Sequence, residues 1–326
     1  MVYMCLVLID VLEQGEEFLL TWQWSKLCFV WSVGDVADRP RFGPAGMPLG
    51  FKVLKRPVGE VPMYLREKGL DAFEYQMVRW GPKPQIRREE AERLGRNAVK
   101  EDVWLTAHGS YFVNLTAEGE VLEASKRRLL SCVTGAGWMG ARIVVFHPGF
   151  YGGRSPQRVF EICEGAMKEV VESMKSLGLG VVCLAPETMG KPSQFGSLDE
   201  VLGLCERLEF TVPNVDWAHL HARDRGRFRS VDDFRRVLDE IERRLGSDVL
   251  KNLYCHFSHI EFGDKGERRH VDLDVGGFGP DFGFLVGLFV ELGLNPVVCC
   301  ETPSLDVDAL KLRDIVYEEL KAKARM

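Results

Sequence analysis

The chain lacks a surplus of positive charge: its 42 lysines and arginines are outnumbered by 48 aspartates and glutamates, for a formal net charge of −6 over 326 residues. Bulk attraction to a polyanion or an anionic membrane is therefore excluded, and any nucleic acid must be held by a local patch or by metal ions. The nine cysteines contain no CxxC pair. Most lie in apolar runs such as Val181-Val182-Cys183-Leu184 and Val298-Cys299-Cys300, which reads as reduced core thiols of a cytoplasmic protein rather than a disulfide framework. Also missing are a GxxxxGK[ST] phosphate loop, an HExxH helix and a GxSxG elbow. There is no internal repeat, low-complexity tract or linker. Histidine is absent before position 108.

Long apolar runs are scarce too. Met1 to Asp10 carries no basic leader, and the polar stretch Glu13 to Glu17 separates it from a second apolar run, Phe18 to Val33. This pattern is too broken for a membrane span and has no small-residue cleavage site, so neither a signal peptide nor a membrane partner is expected. Residues 1–40 read either as a divergent N-terminal extension or as upstream sequence outside the native chain. The second reading is favoured, with Val36 as a candidate start.

From Arg41 to the C-terminus, short strand-like runs alternate with stretches of helical period. The runs are Arg41 to Ala45, Ala72 to Val78, Val103 to Tyr111, Ala141 to His147, Gly180 to Glu187, Thr211 to His219, Leu250 to His259, and Pro296 to Glu301. Amphipathic segments such as Glu120 to Gly135, Gln157 to Leu177 and Val231 to Leu245 lie between them, the last opened by an N-capping Ser230. Near-continuous apolar strands joined by helices imply a parallel sheet covered on its outside. Eight such units over 41–326 fit a single (β/α)8 barrel, a fold of about 250 residues before insertions. A doubly wound open sheet is the alternative, but Gly43-Pro44-Ala45-Gly46-Met47-Pro48 has prolines where a phosphate-binding turn needs free N–H groups.

A barrel gathers the C-terminal ends of its strands on one face. His108, His147, His219, His221, His256 and His259 fall at or just beyond the ends of strand runs, and His270 follows in the segment after the seventh. No histidine is expected on a helix. Glu187, Asp216 and Glu301 share the strand-end placement. Imidazole and carboxylate together form the donor mix of zinc and other borderline divalent ions. In Asp216-Trp217-Ala218-His219 the two polar residues are three apart, so a regular strand would point them oppositely. The strand must bend or end between them. His256-Phe257-Ser258-His259 repeats the spacing, and His256, nearer the strand, is the expected ligand. His221 and His259 are set aside as outer or substrate-facing residues.

At these residues the chain resembles endonuclease IV, the zinc-dependent abasic-site endonucleases within the xylose-isomerase-like barrels. The matching stretches are His108-Gly-Ser-Tyr-Phe-Val-Asn-Leu115, Phe146-His147-Pro148-Gly149, Glu187-Thr-Met-Gly190 with Phe195-Gly196, Asp216-Trp-Ala-His219, His256, and Glu301-Thr302-Pro303, in family order. The resemblance implies two or three Zn2+ ions, with Mn2+ as a substitute. One would be held by His108, His147 and Glu187; a second by Glu187, Asp216, His256 and Glu301; a third by His219, His270 and an acid. The family's Asp-x-His is replaced here by Glu267-Arg268-Arg269-His270, which makes Glu267 the candidate. Glu187, bridging two ions, is the catalytic carboxylate the resemblance implies.

The implied activity is hydrolysis of the phosphodiester 5' to abasic sites in double-stranded DNA, by a monomer, in base excision repair. Tyr111 and Phe112 occupy the place of the side chains that the family wedges into the minor groove. Lys191, Arg223, Arg225 and Arg227 are basic residues expected near the mouth, for phosphate binding or simple solvation. The alternative is a divalent-metal sugar or sugar-phosphate isomerase on the same barrel, for which this many imidazoles is excessive.

Overall fold

Strand pairing in the computed structural model, which describes residues 37–325, makes a ring. In chain order the strands are β1 (Arg41–Pro44), β2 (Ala72–Gln76), β3 (Trp104–His108), β4 (Ile143–Phe146), β5 (Gly149–Phe150) and β6 (Cys183–Pro186). Then follow β7 (Gln194–Phe195), β8 (Asn214–Asp216), β9 (Tyr254–Phe257), β10 (His259–Gly263), β11 (Gly266–Val271) and β12 (Val297–Cys300). One parallel sheet runs β2-β3-β4-β6 and another β1-β12-β9-β8. Parallel bridges join them at both seams, Ala45 with Glu74 on one side, and Leu184 with Thr211 and Glu187 with Asn214 on the other. The eight strands expected from sequence are these eight. Residues 1–36, with the candidate start at Val36, lie outside the described residues.

Closure at the first seam depends on Gly43. A Cβ there would lie 1.7 Å from the carbonyl oxygen of Ala72, so the glycine serves close approach of two strands and not a phosphate turn. Each strand presents alternate residues inward and outward. On β9 the Tyr254 hydroxyl and the His256 ring point into the barrel, where they meet Glu74 of β2, while Phe257 packs outward on Phe282, ring centroids 4.6 Å apart.

The outer layer is α1 (Leu49–Leu54), α2 (Val61–Lys68), α3 (Arg88–Lys100), α4 (Gly119–Met139), α5 (Pro156–Ser176) and α6 (Leu198–Arg207), then α7 (Trp217–Arg223), α8 (Val231–Leu245), α9 (Ser247–Lys251), α10 (Phe282–Glu291) and α11 (Asp306–Ala324). Their starts are written locally. Ser230 and Asp233 form a capping box on α8, Ser197 and Glu200 another on α6, and Ser155 caps α5 ahead of Pro156. Helix and strand faces meet in one apolar core that includes Phe42, Phe73, Phe146, Phe234 and Phe289, each fully buried; burial of such a side chain contributes roughly 1.5–3 kcal/mol. Cys132, Cys163, Cys255 and Cys300 belong to it, and Cys205 and Cys299 are buried as well, all as free thiols.

Some strand runs are shorter than their apolar patterns. Leu250 and Lys251 close α9 before β9 begins at Tyr254, and β8 stops at Asp216. A hairpin, β10 with β11, stands on the C-terminal side of β9 where no strand pair was expected. Among the described residues no helix is long and apolar enough to cross a membrane.

Candidate metal centre

Glu187 follows directly on β6 and has no exposed surface. Its carboxylate is the hub of the C-terminal face. Oε2 lies 3.3 Å from His108 Nε2 and 3.1 Å from His147 Nε2, while Oε1 lies 3.3 Å from His219 Nδ1 and 3.2 Å from His256 Nδ1. Three sets of donor atoms lie close enough to share an ion, each set within 4.8 Å: His108, His147 and Glu187; Glu187, Asp216, His256 and Glu301; His219, His270 and Glu301.

Four of the five imidazoles are anchored by one ring nitrogen, leaving the other for the cluster. His108 Nδ1 lies 3.0 Å from the carbonyl of Gly109, His219 Nδ1 3.0 Å from that of Thr188, and His270 Nδ1 2.7 Å from the Ser258 hydroxyl. His256 Nε2 lies 2.8 Å from Glu74. Such outer partners select the tautomer and orientation a metal ligand requires.

The three-residue spacing in Asp216-Trp217-Ala218-His219 is resolved by a change of secondary structure. Asp216 ends β8 and is the N-cap of α7, its Oδ1 accepting from the backbone N–H of His219 at 2.7 Å. Three residues in a helix make nearly one turn, so both side chains return to one side. The expectation that histidine avoids helices is thereby corrected, since His219 and His221 both lie on α7. His221 turns away: its Nδ1 accepts from the N–H of Phe228 at 3.2 Å and its ring stacks on Phe228. His259 belongs to β10 and joins none of the three sets.

Glu267 and His270 are also three apart, on a strand, where opposite faces would be expected. The β10–β11 hairpin carries a bulge that removes the conflict. Ile260 pairs with His270 and Glu261 with Arg269, but Phe262 pairs with Glu267, leaving Arg268 as the extra residue. Glu267 Oε2 consequently lies 3.1 Å from His219 Nε2. It packs over Gly190, where a Cβ would lie 2.2 Å from that oxygen. The carboxylate whose oxygen lies within 4.8 Å of donor atoms on both His219 and His270 is that of Glu301, with Glu267 beside His219.

The charges are poorly matched. Burial opposes ionisation of Glu187, yet His147, His108 and His219 around it hold its carboxyl well below the usual range. Burial also opposes the charged form of His108, but Glu187, with Glu74 and Glu301 further off, lifts its pKa to about 9. Glu301 goes the other way: burial, reinforced by Glu187, Asp216 and Glu74 against the pull of His256, raises its pKa. Asp216 Oδ2 and Glu267 Oε2 are buried with no hydrogen-bond partner, a costly condition that a cation would relieve. Donor type, convergence and orphaned oxygens together fit divalent ions of the zinc class.

Tyr111 and Phe112, in the loop after β3, are more than half exposed, as is Phe150 nearly, at 49%. The ring of Tyr111 stacks on His147 at 5.2 Å and meets His108 edge-on at 5.3 Å. The basic residues are largely engaged. Arg223 donates to the carbonyls of Met189, Lys191 and Gln194 and so braces their loop; Lys191 faces Glu267 at 3.3 Å; Arg225 reaches the carbonyl of Asp264 and Arg227 pairs with Asp224.

Sequence reasoning missed Glu74. It sits in mid-strand rather than at a strand end, between Phe73 and Tyr75. The available signal was an acid at an inward position of a strand whose neighbours are apolar.

A family model, that of AP endonuclease 2, described as a xylose isomerase-like TIM barrel, matches residues 63–322. An uncharacterised protein of Methanocaldococcus jannaschii is 32% identical over 280 residues, spanning 86% of this chain and 97% of the relative. A probable endonuclease 4 of Geobacillus is 29% identical over 215 residues, 62% of this chain and 70% of the relative. Among solved structures, endonuclease IV from Thermus thermophilus superposes with a TM-score of 0.63 at 23% identity, covering 87% of this chain and all of that one. A D-tagatose 3-epimerase-like protein superposes at 0.58 and 16%, covering 82% and 97%. The chain belongs to the xylose isomerase-like TIM barrel family.

Proposed function

We propose that the protein is a metal-dependent endodeoxyribonuclease that hydrolyses the phosphodiester 5' to abasic sites in double-stranded DNA, acting as a monomer with two or three zinc ions, for which manganese can substitute. The observation that carries this reading is the Glu187 carboxylate, approached on both oxygens by four imidazoles. A carboxylate so placed would be shared by two adjacent ions, which supply the charge neutralisation that in-line displacement at phosphorus needs.

His108, His147 and Glu187 would hold one ion; Glu187, Asp216, His256 and Glu301 a second; His219 and His270, with Glu301 and Glu267 beside them, a third. When bound, such ions neutralise phosphate oxygens, acidify the attacking water and stabilise the leaving alkoxide. Glu187, a member of both of the first two donor sets, would serve both positions. His108, His219, His256 and His270 each have one ring nitrogen anchored and the other turned to the cluster, so none is left to act as a conventional general base. Tyr111 and Phe112 provide exposed apolar surface against the site. Inserting them into a base step costs a few kcal/mol of unstacking, least where a base is missing, and that difference selects the lesion.

The test is incubation of purified protein with a labelled duplex carrying one abasic analogue, with and without chelator, together with metal analysis. Incision 5' to the lesion, lost with chelator and accompanied by two or three zinc ions per chain, is the expected outcome. Absence of incision from zinc-loaded protein overturns the reading. A single magnesium or manganese ion with turnover of a ketose would instead establish the sugar-isomerase alternative.

A further inference from the structure

Glu74 is fully buried in the barrel interior on β2, outside all three donor sets. Its Oε2 lies 2.8 Å from His256 Nε2 and 2.7 Å from the hydroxyl of Tyr254, and its Oε1 accepts from the side-chain amide of Gln76 at 2.9 Å. Tyr254 is in turn 2.8 Å from the Thr106 hydroxyl. An ionised carboxylate only accepts hydrogen bonds. The directions in this chain are therefore fixed: Thr106 donates to Tyr254, and Tyr254 and His256 Nε2–H both donate to Glu74. β2 and β9 are not neighbours in the ring, so the link crosses the barrel interior beneath the metal centre.

The other ring nitrogen of His256 faces a different environment. Nδ1 lies 3.2 Å from Glu187, 3.3 Å from Glu301 and 4.0 Å from Asp216. A neutral imidazole carries a single N–H, and three carboxylates around Nδ1 favour placing it there, where it would block a cation. Glu74 draws that hydrogen to the opposite nitrogen, at 2.8 Å, and the side-chain amide of Asn214, donating toward Nδ1 from 3.2 Å, reinforces the same tautomer. We propose that Glu74 is a positioning residue for the second metal position: through its hydrogen bond to His256 Nε2–H, oriented by Tyr254, it selects the tautomer that leaves Nδ1 open to an ion shared with Glu187, Asp216 and Glu301. The inference rests on the metal-centre reading above and names the residue that makes one of its ligands competent. It also explains why an isolated acid is retained in the middle of a barrel strand, where its burial requires several donors to offset the loss of water.

The test is zinc stoichiometry and affinity, measured by elemental analysis and by competition with a chromophoric chelator, for wild type, Glu74→Gln, Tyr254→Phe, His256→Ala and Glu74→Gln/His256→Ala. Removal of an outer partner of a ligating histidine typically weakens metal binding about 10- to 100-fold. Glu74→Gln is expected to weaken one ion by that factor and leave the others unchanged, with a smaller loss in Tyr254→Phe, which keeps the carboxylate. In the His256→Ala background the Glu74→Gln change should add nothing. Imidazole 15N shifts of metal-free protein, recorded at a pH high enough to leave His256 neutral, should report its Nε2–H form in wild type and the loss of that form in Glu74→Gln. Wild-type affinity for every ion in folded Glu74→Gln overturns the proposal, as does a full additional loss in the double variant. Should Glu74→Gln fail to fold, an unchanged affinity in Tyr254→Phe with His256 in the Nδ1–H form overturns it equally. Wild-type protein that binds no zinc overturns the metal-centre reading itself, a result distinct from either.

Discussion

The two ends of the barrel handle buried charge in opposite ways. At the N-terminal ends of β1, β2 and β3, acids and bases are interleaved. Arg39 contacts Asp71 at 3.0 Å and Asp102 at 2.6 Å, and Arg41 contacts Asp102 at 2.8 Å and Asp38 at 3.0 Å. Asp71 also accepts from the N–H of Phe42. The C-terminal end gathers five histidines with Glu74, Glu187, Asp216, Glu267 and Glu301, and the Lys191 ammonium beside it faces Glu267 at 3.3 Å. Two of its carboxylate oxygens have no hydrogen bond at all. One end is a plug whose charges answer one another. The other leaves acids unanswered by the chain's own charges, as the proposed cations would require, and barrels commonly divide stability and function between their faces in this way.

The sharpest way to break the comparison is at the hub. Glu187→Gln keeps the shape and removes the charge that two metal positions share, so incision of an abasic duplex should fall by at least on the order of 10³-fold, the scale of losing one preorganised charge-stabilising group. Circular dichroism should remain that of the wild type. Retained incision would show that Glu187 does not carry the chemistry. Chelation comes next. Because ions bind the folded chain only, each held at a thousandfold over its dissociation constant contributes about 4 kcal/mol, and chelator should lower the melting temperature by several degrees. Metal uptake should also release protons, since the ligands must be deprotonated. His108, lifted to about 9, is protonated at pH 7.5 in metal-free protein, so release should be larger there than at pH 10. Equal release at both would contradict the assignment of its neighbours.

How much of this end was legible depends on whether the signal was local. Strand-end histidines are visible because a barrel converges its strand ends wherever they fall in the chain, and His108, His147, His256, Glu187, Asp216 and Glu301 all follow that rule. The rule fails where the backbone departs from regular strand. His219 enters the cluster only because α7 starts one residue after β8, and Glu267 only because Arg268 bulges out of β11; both depend on pairing partners that a single sequence does not display. Glu74 obeyed the inward alternation of β2, but its partners Tyr254 and His256 lie about 180 residues away, and mid-strand acids carry no motif.

Smaller effects should separate the ends by sign. Asp102→Asn removes the charge facing Arg39 and the buried Arg41 while keeping a residue that tolerates its φ of 52°. Asp102 is half exposed, so screening limits the loss to about 1–2 kcal/mol, with zinc content and incision unchanged; denaturant unfolding measures it, and a loss of zinc would mean the ends are coupled.

Glu301→Gln is the mirror experiment and the smallest effect. Burial, with Glu187, Asp216 and Glu74 nearby, raises the pKa of Glu301 above that of an unfolded glutamate. The folded chain then binds this proton more tightly than the unfolded one, so stability is lost as pH rises from the unfolded value through the raised folded one. Metal-free Glu301→Gln should escape that loss and be at least as stable as metal-free wild type above pH 8, by up to about 1 kcal/mol. Zinc-loaded Glu301→Gln should be the less stable of the loaded pair, because a ligand shared by the second and third donor sets is gone. An acid whose removal helps the empty protein and harms the filled one exists for the cation, whereas Asp102 should cost stability in both states.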